Sequence, residues 1–428
     1  MKVYQHSEAL EQAYGLAKNR YAQVGINTDE AIRVAAAIPI SLQCWQGDDV
    51  RGFEGAQRLS GGGILATGNY PGWARNGDEL RSDAAFAFSL IPGAKRFNLH
   101  SIYGETPGGP GKKRERDALE PADFQTWMTW SQANAIPLDF NPTFFAHPLA
   151  EAATLSHEDP KIRRFWIRHA LAARRIASAF GENQGVPAIN NLWIPDGSKD
   201  MPADRLSPRL RLKDALDEIF ALSLPANTLS DTLECKLFGI GSEAYVVGSH
   251  EFYLSYAVQK QLKLCLDMGH FHPTEKIADK ISGILPFVPG LLIHFSRGLR
   301  WDSDHVALFS DETREVCREV KRAEAFDRIA VALDFFDASI NRIAAWTIGA
   351  RSARKALLEA FLEPTALLVA AEKTGKYHER LALMEALKTF PFAAVWDKLC
   401  LDAGVPVGTD WFALVDSYEQ GIQGPRIQ

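Results

Sequence analysis

Short apolar runs that end on a polar or charged residue recur along this chain, at residues 38–45, 96–100, 136–141, 186–193, 233–238, 262–267, 291–294 and 329–334. Runs of this length with little alternation read as strands buried on both faces, the pattern of a parallel sheet. Between most of them lie apolar positions at helical spacing, as over residues 159–180, 211–222 and 311–325. Eight such strands alternating with helices predict an α/β fold, a (β/α)8 TIM barrel.

The two ends of the chain differ from this middle. Residues 7–25 place Leu10, Tyr14, Ala17, Tyr21 and Val24 on one helical face, with Gly25 closing the helix, and a second helix is expected from near Thr28. This pair is expected to form an N-terminal helical lid under the barrel. After about Gly349 the strand signals stop, and amphipathic helices follow, broken at Pro364, Gly375, Pro391 and Gly404. The expected organisation is a barrel with its N-terminal helices over residues 1–350 and a C-terminal helical extension over 351–428. The extension would pack on the barrel or on another subunit.

Charge and composition narrow the partners. Lys and Arg number 47 against 53 Asp and Glu, a net charge of −6 with no basic stripe, so no nucleic-acid partner is expected. Five scattered cysteines without CxxC spacing suggest neither a disulfide framework nor a zinc knuckle, and fit a reducing cytoplasm. The apolar runs are too short for a membrane span, and the N-terminus has no signal-peptide pattern, so no membrane partner is expected.

Barrel enzymes carry their chemistry at the C-terminal strand ends. There stand Glu234, Asp267, His270, His294, Asp302, Asp304 and Asp334. Five gathered carboxylates would repel one another; two divalent cations, together with Lys236 on the strand face of Glu234, would balance them. Oxygen-rich ligation with a minority of imidazole suits Mn²⁺, Mg²⁺ or Co²⁺ better than a closed structural zinc site. His272 and His305 read equally as supporting or structural residues. Trp45, Trp193, Phe335 and Phe336 either fill the core or, at strand ends, wall a sugar ring. The long polar stretch between residues 46 and 72 has the length of a binding loop.

The longest motifs, Cys44-Trp45-Gln46-Gly47-Asp48-Asp49-Val50, Gly269-His270-Phe271-His272-Pro273-Thr274-Glu275, Arg300-Trp301-Asp302-Ser303-Asp304-His305 and Leu333-Asp334-Phe335-Phe336-Asp337, closely resemble those of enteric-type bacterial L-rhamnose isomerases. That family lies within the xylose-isomerase-like barrel superfamily, and the resemblance runs nearly end to end. It implies a homotetrameric, Mn²⁺-dependent aldose–ketose isomerase acting on the small-molecule sugar L-rhamnose, with Co²⁺, Mg²⁺ or Zn²⁺ as possible substitutes. It would put one metal on Glu234, Asp267, His294 and Asp334. The second would sit on His270, Asp302 and Asp304, with Asp267 bridging. Catalysis would then involve Lys236, Asp304, His100 and Asp334, with His100 assisting ring opening. Substrate would lie against Trp45, His100, Trp193, Lys236 and Phe336. A metal-dependent sugar epimerase of the same barrel class and a catalytically silent sugar-binding protein are the competing readings.

Overall fold

The computed structural model describes residues 7–54, 68–107, 114–236, 244–272, 274–299 and 302–427, with backbone only for 7, 302–304 and 427. Eight parallel strands close into a barrel: β1 (Ile40–Gln43), β2 (Lys95–His100), β3 (Leu138–Asn141), β4 (Ala188–Leu192), β5 (Leu229–Glu234), β6 (Lys263–Asp267), β7 (Leu291–Phe295) and β8 (Ile329–Leu333). Their spatial order is sequential, with β1 paired to both β2 and β8. A helix follows each strand: α3 (Gly77–Ser89), α4 (Gln125–Asn134), α5 (Pro160–Gln184), α6 (Leu206–Ala221), α7 (His250–Lys260), α8 (Ile277–Ile284), α9 (Asp311–Arg322) and α10 (Arg342–Phe361). Before the barrel come α1 (Ser7–Ala22) and α2 (Thr28–Ala37). After it come α11 (Thr365–Lys373), α12 (Tyr377–Leu387), α13 (Phe392–Asp402) and α14 (Phe412–Tyr418).

Local chemistry sets many of these boundaries. Asn27 accepts from the backbone N–H groups of Asp29 and Glu30 to start α2, whose first turn carries those two acids at the positive end of the helix dipole. Asp159 caps α5 with Pro160 in its first turn, and Gly185 ends it in the left-handed conformation. Within α5, Gly181 lies so close to the chain entering β5 that a Cβ would meet the Thr228 carbonyl oxygen at 1.9 Å. A larger residue there would push the helix off the barrel wall.

The main core lies between strands and outer helices, and a satellite core joins α1 and α2 to α10 and α13 through Tyr14, Tyr21, Leu358, Val395 and Trp396. Arg354 of α10 is fully buried and donates to the carbonyls of Ala35, Ile38, Pro92 and Ala94, tying the N-terminal helices to the entry of β1 and β2. Burial holds its guanidinium at about 9, well below the usual arginine range. The division expected at residue 350 falls inside α10, which serves both the barrel and this satellite core.

Candidate metal centre

Strand register brings the predicted ligands together. Asp267 at the end of β6 pairs with His294 on β7, and Glu234 ends β5 level with Cys265. Asp334 directly follows β8. His294 Nδ1 stands 3.3 Å from Glu234 Oε1, 3.5 Å from Asp267 Oδ2 and 3.2 Å from Asp334 Oδ2. One ligand atom from each of these four residues lies within 4.8 Å of the others. His294 is fully buried, and Glu234 and Asp267 are nearly so.

The spacing suits a cation. Ligand atoms about 2.1 Å from a common centre sit roughly 3.0–3.4 Å apart in octahedral or tetrahedral arrangements. Glu234 Oε1 and both ring nitrogens of His294 are buried without a hydrogen-bond partner among the described residues. A buried carboxylate oxygen and a buried imidazole nitrogen left unpartnered are costly, and a divalent ion satisfies the carboxylate oxygen together with the one ring nitrogen that carries no proton. Burial disfavours a charged His294, but Cys265, Glu234, Asp267 and Asp334 outweigh it and raise its pKa well above the ordinary value. Burial also works against the Asp267 carboxylate, yet His270 and His294 pull its pKa down; at Asp334 burial prevails and the pKa rises. Cys265 also borders the cluster, but burial pushes its thiol up, leaving the carboxylate set as the better ligand group.

Each of the three carboxylates is held from behind. Asn191 Nδ2 donates to Glu234 Oε2 at 2.5 Å, Ser296 Oγ to Asp267 Oδ1 at 2.5 Å, and Trp45 Nε1 to Asp334 Oδ1 at 3.2 Å. Asn191 and Ser296 are not among the site residues expected from the sequence. Ser296, two residues beyond His294, carried a usable signal in its strand-face spacing, whereas Asn191 is identified only by register across β4 and β5. Groups that orient ligands are worth about 10–100-fold in metal affinity. Ser296→Ala and Asn191→Ala are each expected to weaken divalent-cation binding by that factor, read by titration calorimetry on metal-stripped protein. Unchanged affinity would remove them from the site.

His270 lies beside this cluster, its Nδ1 2.9 Å from the Cys235 carbonyl and 3.3 Å from Glu234 Oε1. A carbonyl only accepts, so the proton sits on Nδ1 and Nε2 is the atom able to ligate. Asp302 and Asp304 lie on a short strand, Asp302–His305, antiparallel to Arg297–Leu299 just beyond β7; their side chains fall outside the described residues. His272 is turned to Thr274 Oγ1 at 2.7 Å and takes no part in the cluster.

A cleft opens above the cluster, lined by Trp45, Val50, His100, Asn141, Phe145, Trp193, Glu234, His270, Asp334 and Phe336. Trp45, Trp193 and Phe336, which could have been plain core, thus face it. Val50, Asn141 and Phe145 were not foreseen. Lys236 is buried, donates to the Pro195 carbonyl at 3.1 Å, and holds its Nζ 5.6 Å from the centre of the Trp193 ring. His100 Nδ1 lies 3.1 Å from Thr143 Oγ1, and its ring meets Trp45 edge-on at 4.5 Å. Burial first, then Arg116 and two other histidines, depress its pKa to about 3, so it is neutral at physiological pH.

The L-rhamnose isomerase (RhaA) family model matches residues 8–426. The chain belongs to the L-rhamnose isomerase family. Among its relatives, the L-rhamnose isomerase of Enterobacter sp. (strain 638) is 53% identical over 419 residues, spanning 97% of this chain and 99% of that one. The enzyme of Rhodopirellula baltica is 52% identical over 418 residues, 97% of each. L-rhamnose isomerases are aldose–ketose isomerases, and this family membership makes the chain an enzyme acting on a small sugar. Solved structures similar in fold include an L-ribulose 3-epimerase (TM-score 0.47, 10% identity, 78% of this chain and 98% of that one) and a D-psicose 3-epimerase of Clostridium cellulolyticum H10 (TM-score 0.44, 11% identity, 76% and 96%). No helix among the described residues is long and apolar enough to cross a membrane.

Proposed function

We propose that the chain converts L-rhamnose to L-rhamnulose with two divalent cations per subunit, Mn²⁺ foremost. One would be held by Glu234, Asp267, His294 and Asp334, the other by His270, Asp302 and Asp304 with Asp267 shared. The observation that carries this reading is the buried quartet around His294, whose unpartnered nitrogen and carboxylate oxygen have the spacing of a coordination shell. When bound, the cations supply Lewis acidity that polarises the substrate carbonyl and acidifies its neighbouring hydroxyl.

The chain's own groups do the rest. Trp45, Trp193 and Phe336 hold the sugar against the cluster, and Val50 and Phe145 offer apolar surface that suits the methyl group of a 6-deoxy sugar. Neutral His100 meets the ring form and assists its opening. In the open chain the O2 proton is lost, with Asp304 its candidate acceptor, while hydrogen moves with its electron pair from C2 to C1. A carbonyl forms at C2, and the proton taken from O2 is returned to O1, which ends as a hydroxyl. Lys236 stabilises the negative charge that gathers on O1 during transfer. Run in D₂O, the reaction should give L-rhamnulose with little deuterium at C1. Substantial incorporation would instead mean an enediol that exchanges with solvent, and failure to form the ketose at all would overturn the substrate assignment.

Assembly and compartment follow the same reading. Exposed apolar side chains on the helical extension, Leu367, Tyr377, Leu381, Phe412 and Leu414, support a homotetramer that covers them. The five cysteines are free and buried, which suits a reducing cytoplasm.

A further inference from the structure

Asp49 and Val50 both have φ of +60°, a left-handed conformation that is unusual for any non-glycine residue and sterically unfavourable for a β-branched one. Val50 nevertheless lines the sugar cleft and is only 3% exposed. Something must hold this turn, and Arg342, at the start of α10, is placed to do so. Its guanidinium forms a two-pronged pair with the Asp49 carboxylate at 2.8 and 2.7 Å and also donates to the carbonyls of Tyr70 and Pro71. It therefore joins the chain entering the long loop to the chain leaving it.

Arg342 is in turn backed by the C-terminal segment. Its neighbour Asn341 caps α10 with its side-chain oxygen and donates through Nδ2 to Glu419 at 2.8 Å and to Gln423 at 2.9 Å. Glu419 also accepts from the Tyr70 hydroxyl at 2.8 Å. Gly72, at φ +80°, packs so tightly on this segment that a Cβ would come within 2.8 Å of the Gln423 Cβ. Arg426 donates to the Gly72 carbonyl and pairs with buried Asp83 of α3.

We propose that residues 419–426 are a positioning element of the sugar cleft, acting through Asn341 and Arg342 to keep Val50 turned into its wall. Metal ligation does not enter, because neither Asp49 nor Val50 contributes to the cluster. The inference rests on the reading that this cleft binds the substrate. It predicts an effect on sugar binding that is separable from turnover and from metal affinity.

The test is steady-state kinetics on the full-length, Mn²⁺-loaded enzyme carrying Glu419→Gln and Gln423→Ala together, in wild-type and Val50→Ala backgrounds. In the wild-type background KM for L-rhamnose should rise about fivefold with kcat within twofold and Mn²⁺ affinity unchanged. In the Val50→Ala background the same pair should add little, because its route to the sugar has already been removed. Asp49→Asn, which weakens the link at its other end without touching the C-terminal segment, should reproduce the KM rise. An unchanged KM, kcat falling in step with thermal stability, or full additivity with Val50→Ala would each overturn the proposal. A wild-type enzyme that fails to turn over L-rhamnose in the same assay would instead overturn the underlying functional reading.

Discussion

His270→Ala and Asp302→Asn are each expected to leave the fold intact and to cut turnover below ~0.1% of wild type, a loss of about 4 kcal/mol in transition-state stabilisation. The reason is the division of labour among the ligands. The quartet of Glu234, Asp267, His294 and Asp334 is complete without either residue, and its members sit on four adjacent barrel strands or directly after them. A barrel built on that quartet should therefore survive, still holding one cation. What is lost is the second cation, which in this account acidifies the hydroxyl whose proton must leave. Circular dichroism and thermal unfolding would report the intact fold, and a coupled ketose assay the lost turnover. Activity close to wild type in either variant would show that one cation suffices.

Lys236→Met should lower kcat by ~10²–10³-fold, about 2.7–4 kcal/mol, the scale of removing one donor aimed at developing negative charge. KM should move little, because the charge on O1 develops only as hydrogen transfers and the ground-state carbonyl gains little from the ammonium. Methionine keeps an unbranched apolar side chain of similar length, so packing in the 3% exposed site is largely retained while the ammonium over Trp193 is lost. Metal content should stay at the wild-type level, since Lys236 is not a ligand. A kcat within tenfold of wild type would mean that charge at O1 is stabilised by the cations alone.

The barrel was legible because its strands are continuous apolar runs that break on the residues that do the chemistry. Leu262 to Asp267 and Ile329 to Asp334 are examples, and their observed strands, Lys263–Asp267 and Ile329–Leu333, differ by a single residue at an end. The fifth strand was read about four residues late. Its first four residues, Leu229-Ser230-Asp231-Thr232, are mostly polar because Asp231 accepts from Arg174 of α5 and Asn190 of β4, and Thr232 donates to Asn191 of β4, all bonds that exist only after neighbouring elements have assembled. The start of α6 was hidden in the same way: Ser207-Pro208 looks like a break, yet a proline in the first turn of a helix sacrifices no helical bond.

The candidate metal ligands stand out in the sequence as a set because clustered acids at strand ends have few physical justifications other than cations. The residues that orient them were not. Asn191, Ser296 and Thr143 are ordinary in sequence and gain their roles from the register that sets them beside Glu234, Asp267 and His100. The left-handed turn at Asp49 and Val50 carries no glycine or asparagine to announce it, and its partner Arg342 stands almost three hundred residues away in sequence.

The central claim is that two cations at the strand ends make this barrel an L-rhamnose isomerase. Its most direct test is to strip the protein of metal, add Mn²⁺ in measured steps, and follow bound metal per chain alongside L-rhamnulose formation. Activity should be negligible in the stripped protein, little at one Mn²⁺ per chain, and full at two, with His270→Ala stopping at one and remaining inactive. Full activity at a single bound Mn²⁺, or persistent activity after stripping, would contradict it.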